Sequence, residues 1–125
     1  MKHATEPAGN GLEVEVEQSG ASAILRLRGR VDIDSSPDLR DRLLALLQSQ
    51  SSKAVTVDLA EVPYIDASGI ATFIEALKIS RRNRLEFCLV GLTGSVLHLF
   101  EVTGVLALFE AVGCPTRSSG SKVSS

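Results

Sequence analysis

A chain of 125 residues is the size of one domain and long enough to bury one core. Its 44% hydrophobic and 22% charged residues suit a globular protein, and no apolar run reaches the roughly 20 residues that a membrane span needs. A net charge of -2 lacks the basic excess of a nucleic-acid binder, and the opening MKHATEPAGN lacks the apolar stretch of a secretory signal, so the expectation is a cytoplasmic protein, not membrane-inserted.

Residues 1–11 are polar and read as a flexible start. Residues 12–18, LEVEVEQ, alternate apolar and polar side chains with the period of two that marks a half-buried strand. Ser19-Gly20-Ala21 supplies a turn and residues 23–28 alternate again, so the two runs predict a hairpin that Gly29 ends. In SSPDLRDRLLALLQ, Ser36 reads as the N-cap of a helix and Pro37 as its first residue, and Leu39, Leu43, Leu46 and Leu47 make an apolar face. Residues 53–59 alternate once more and predict a third strand. Pro63 breaks the chain before a second helix over 67–82. Residues 87–90 form a short continuous apolar run, read as a strand covered on both faces. A third helix is predicted over 93–102, capped by Thr93 and stopped by Gly104, and a last strand within 108–112. The order β-β-α-β-α-β-α-β predicts an α/β fold, a mixed sheet with helices packed mainly on one face. The folded domain spans 12–112. Residues 113–125, GCPTRSSGSKVSS, read as a serine-rich flexible tail.

The segment VPYIDASGI carries the chemistry. Asp66 stands at the predicted start of the second helix, where a carboxylate accepts hydrogen bonds from the free N–H groups of the first turn. Ser68 lies inside that turn, where the N–H donors and the helix dipole favour negative charge, and Gly69 beside it leaves its hydroxyl little covered. A phosphate on such a serine adds about -1.5 to -2 charge at a place that tolerates it. The same pattern also describes a plain helix cap.

The run IDASGI resembles the Asp-x-Ser-Gly motif of the STAS family, in whose anti-sigma factor antagonists the usual sequence is Asp-Ser-Ser-Gly. GRVDIDSSPDL resembles the family's Gly-x-hydrophobic-Asp loop, through Gly29, Val31 and Asp32, and GSVLHLFEVTGV its third helix with the closing Thr103-Gly104. The likeness runs from Leu12 to Val112. It implies a STAS-like sheet and an anti-sigma factor antagonist: a phosphorylation-controlled switch, not an enzyme, with no catalytic residue, metal or cofactor. Its partner would be an anti-sigma factor that is a serine kinase of histidine-kinase-like ATPase type, opposed by a phosphatase, and binding would release a sigma factor. Ser68 would be the phosphorylated residue, with Asp66 and Gly69 supporting the switch loop and Asp32 on the partner surface. Two features depart from the pattern: Ala67 replaces a serine, and the chain's end supplies no convincing further helix. The alternative within the family is a cytoplasmic accessory subunit of a lipid-transporting ABC system, bound to its ATPase or permease.

On the second helix, Ile70, Phe73, Ile74 and Leu77 recur at core spacing. Ser68, Thr72, Glu75 and Ile79 fall on the opposite side and are expected to form a solvent-facing stripe along which the partner lies. Other candidates carry less. Gly91-Leu92-Thr93-Gly94-Ser95 lacks the lysine of a phosphate loop, His98 has no second ligand at metal spacing, and the basic run at Arg81 to Arg84 suits a helix C-terminus. Cys88, inside an apolar run with no cation beside it, reads as a buried structural thiol, and the two cysteines define no disulfide framework or zinc site.

Overall fold

Side-chain alternation produces the hairpin. Strands β2 (Leu12–Ser19) and β3 (Ser22–Gly29) pair antiparallel, with Leu12, Val14, Ala23, Leu25 and Leu27 buried on one face. Their outer face carries charge, and Arg26 bonds Glu17 at 2.6 Å while Arg28 bonds Glu61 at 2.7 Å. In the computed structural model, which describes residues 2–7, 11–49 and 52–111, the chain continues through α1 (Ser36–Leu47), β4 (Ala54–Glu61), α2 (Ala67–Arg82), β5 (Glu86–Val90), α3 (Gly94–Val102) and α4 (Val105–Ala111). β4 runs parallel to β3, and β5 parallel to β4. The buried sides of the strands and helices form a single core, in which Phe73 meets Phe100 and Phe87 meets Phe109 at ring-centroid distances of 6.4 and 5.9 Å. The mixed α/β architecture with helices on one face is the one expected. Among the described residues, no helix is long and apolar enough to cross a membrane.

Several details differ from the sequence reading. The last strand is absent: residues 105–111 are helical, because Val105 and Phe109, four apart, bury one side of a helix whose Ala107 and Glu110 are good helix formers. The order after β5 is therefore two helices. At the other end, Lys2–Pro7 is not a loose start but a strand, β1, pairing antiparallel with β2 and completing a five-stranded sheet. The free backbone edge of β2 offers it ladder partners, which a side-chain pattern does not reveal. The N-cap of α1 is Ser35 rather than Ser36, and neither its hydroxyl nor that of Thr93 at α3 caps a helix end. β5, at the sheet edge, is fully covered on one face only: Phe87 and Leu89 are buried while Cys88 and Val90, on the other face, are half-buried. Cys88 is also disulfide-bonded, not the free thiol expected. Residues 113–125 lie outside the described residues.

Gly29 and Gly69 show what the fold demands of its glycines. Gly29 has φ 115°, and a Cβ there would stand 2.0 Å from the Gly11 carbonyl oxygen. Gly29 therefore ends β3 where two backbones touch. Gly69 has ordinary backbone angles, yet a Cβ would meet Ile65 Cγ1 at 2.6 Å and Val31 Cγ1 at 2.7 Å. It is buried, and lets the first turn of α2 settle on Val31 and Ile65.

Candidate functional site

Two loops leave the same end of the parallel β3–β4 pair and stay joined beyond it. Val31 bridges Ile65 in parallel, with Val31 N–H donating to the Tyr64 carbonyl at 3.0 Å and Asp66 N–H to the Val31 carbonyl at 3.1 Å. This pairing places Asp32 and Ile33, from the loop before α1, beside Asp66 at the start of α2.

Asp66 is the N-cap of α2, in extended conformation. Its Oδ1 accepts from Ser68 N–H at 2.9 Å, from Gly69 N–H at 3.3 Å and from the Ser68 hydroxyl at 2.6 Å. Desolvation pushes this carboxyl up, but the Ser68 hydroxyl and the Gly69, Ser68 and Ile33 N–H groups outweigh it and hold the pKa below its ordinary value of 3.8. One carboxylate thus ties the hydroxyl and the helix end together. Ser68 itself is half-buried, and its carbonyl accepts the Thr72 hydroxyl at 3.0 Å.

Asp32 organises the second loop. Its Oδ1 accepts from Asp34 N–H at 3.0 Å and Ser35 N–H at 3.2 Å, and Arg30 Nε lies 3.4 Å from Oδ2. Desolvation raises this carboxyl too, but the Ser35 and Asp34 N–H groups, with Arg30, bring it below its ordinary value. Ser35 is fully buried, its hydroxyl donating to the Arg30 carbonyl at 2.8 Å and accepting Asp32 N–H at 3.1 Å. Ser36 is buried as well, so neither serine of that pair is open to modification. The Arg30 guanidinium sits over the Tyr64 ring, 4.4 Å from its centroid.

Asp66, Ser68, Gly69 and Asp32 are therefore brought together, but the rest of the expected stripe is not on an open face. Thr72 is 7% exposed. Glu75 accepts two bonds from Arg40 of α1, at 2.8 and 2.7 Å, and Arg40 in turn holds the Glu75 carboxyl below its ordinary range. One turn past Ile79, the Asn83 side chain donates to the Leu47 carbonyl of α1 at 3.2 Å. Glu75, Ile79 and Asn83 are spaced by four, so Ile79 lies along the seam with α1, and it is packed partly against the core. The α2 pattern, read alone, could not show that α1 covers this side. The same reading passed over Ile33, 72% exposed, and Tyr64, 40% exposed; an isoleucine in an alternating VDID run carries no signal of standing in a loop.

Fold and site together define an α/β domain with a capped, serine-bearing helix start beside an acidic loop. The STAS domain model matches residues 13–119, and the chain belongs to that family. The chain is 28% identical over 100 residues to an anti-sigma-B factor antagonist of Listeria monocytogenes, a match covering 79% of this chain and 87% of the relative. Its fold is similar to an anti-sigma factor antagonist (STAS) domain protein from Planctomyces limnophilus, with TM-score 0.70 at 17% identity, covering 85% of this chain and 90% of that one. It is also similar to the phosphorylated form of the Bacillus cell fate determinant SpoIIAA, with TM-score 0.66 at 12% identity, again covering 85% and 90%.

Proposed function

We propose that the chain is an anti-sigma factor antagonist, a cytoplasmic binding switch without catalysis of its own, turned off by phosphorylation of Ser68. The observation that carries this reading is the Ser68 hydroxyl, held at 2.6 Å on the Asp66 carboxylate at a helix N-terminus. Unphosphorylated, the surface formed by Ser68 and the Asp32 loop docks on an anti-sigma factor that is itself a serine kinase, and the sigma factor is released. Phosphorylation removes the proton that joins Ser68 Oγ to Asp66, leaving two oxygens that repel at that distance, so the phosphate turns outward. A near-dianion then stands at the docking surface beside two ionised carboxylates. Burying it without a counter-charge costs several kcal/mol, and about 1.4 kcal/mol is tenfold in affinity. A phosphatase restores the switch. Asp66 and Gly69 are supports: one holds the serine turn, the other seats it on the sheet. Thr72, Glu75 and Ile79 act from beneath and beside that surface, as packing rather than direct contacts. The antagonist relative supports this reading over an ABC-transport subunit.

The test is phosphorylation by a purified serine kinase of the histidine-kinase-like ATPase type with ATP, read by mass spectrometry. The expected result is one phosphate at Ser68, abolished in Ser68→Ala, with loss of kinase binding on phosphorylation. A phosphate elsewhere with Ser68 untouched, or unchanged binding after modification, refutes it.

A further inference from the structure

Ile33 is the most exposed of the large hydrophobic residues described, at 72%. A lone exposed isoleucine on a protein surface is ordinary. Ile33 is set apart by how it is held. It follows the Val31–Ile65 bridge that brings its loop beside Asp66, the carboxylate that holds the Ser68 hydroxyl, and its neighbours on both sides are pinned through the Asp32 carboxylate and the buried Ser35 hydroxyl. The backbone that presents this side chain is therefore fixed before any partner arrives, and docking it costs little ordering. The surroundings add a second constraint. Asp32 and Asp34 flank Ile33 in the chain, Asp66 lies across the Val31–Ile65 bridge, and Arg30 is engaged by Asp32 and by the Tyr64 ring. An apolar knob flanked by carboxylates fits an apolar socket bordered by lysine or arginine.

We infer that Ile33 is the apolar anchor by which the kinase recognises the chain, seated in a basic-rimmed apolar socket beside the phosphoryl-transfer cleft. This rests on the reading of Ser68 as the phosphoacceptor, since Ile33 stands on the loop that the Val31–Ile65 bridge joins to the start of α2, beside that hydroxyl. Ile33 positions the substrate and takes no part in the transfer, so its loss shows in KM and complex affinity rather than in kcat.

The experiment uses the full chain and the purified kinase that phosphorylates wild type at Ser68. Ile33→Ala and Ile33→Glu are expected to raise KM for the chain at least tenfold, with kcat within twofold, unchanged melting temperatures and a parallel loss of complex affinity. Ile33→Leu is expected to stay within threefold of wild type. A KM within twofold of wild type for Ile33→Ala overturns the anchor while leaving the switch standing. So does sedimentation showing that the wild type self-associates and Ile33→Glu does not, because the knob would then be covered by a second copy. Failure of any such kinase to modify wild type at Ser68 overturns the switch reading itself, and the anchor with it.

Discussion

Replacing Asp66 by alanine removes an acceptor used by two backbone N–H groups and one hydroxyl, and the cost can be assembled from these bonds. Loss of a side-chain N-cap costs about 0.5–2 kcal/mol. The Ser68 hydroxyl bond comes on top of that cap, and a hydrogen bond to a charged group contributes about 1.5–3 kcal/mol net. Asp66 is only half-buried, so water reaches some of the freed donors and the sum is discounted, to about 2 kcal/mol. The pH dependence has a definite sign. The folded carboxyl lies below its ordinary 3.8, so its contribution is fully present above that value and is lost as pH falls through the folded pKa. Urea unfolding of wild type and Asp66→Ala should therefore differ by about 2 kcal/mol near neutral pH, with equal slopes, and the gap should close in the acid range below about pH 4. Asp66→Asn keeps an acceptor at the cap, so it should lose less at neutral pH. A gap under about 0.5 kcal/mol at neutral pH, or one that persists unchanged in acid, would refute the view that this carboxylate holds the start of α2.

The remaining substitutions separate packing from docking. Gly69→Ala drives a Cβ against the buried Val31 and Ile65 side chains and should destabilise by about 1–3 kcal/mol, measured by chemical denaturation; a neutral effect would show that the helix start is not seated on those residues. Ile79→Glu places a charge on the α1–α2 seam and a like charge four residues from Glu75, and should cost at least about 1 kcal/mol. If instead its stability is unchanged and kinase binding is lost, Ile79 belongs to the partner surface after all.

What was readable in the sequence was what a single element decides by itself. Alternation in LEVEVEQ and in AVTVDL places side chains on two faces whatever lies beyond them, and Asp66 followed by Ser68 and Gly69 caps a helix using atoms of its own turn. What failed depends on a second element. β1 forms because β2 has a free edge, and residues 105–111 are helical because Phe109 finds Phe87 rather than a strand neighbour.

The stripe on α2 belongs to the same class of failure, and it changes where a partner is sought. Ser68, Thr72, Glu75 and Ile79 do share a side of the helix, as 3.6 residues per turn requires. Periodicity fixes which residues share a side, but only the neighbouring helix fixes what that side meets. α1 meets it through Arg40 and Leu47, so the accessible ground around Ser68 lies off the helix, on a loop that begins 35 residues earlier in the chain at Ile33. That loop reaches the serine because β3 and β4 are parallel neighbours and release both connections at one end of the sheet. The proposed docking surface is thus a product of topology. A STAS chain with the same Asp66-Ala67-Ser68-Gly69 run but a different residue at position 33 should keep its phosphoacceptor and change its choice of kinase.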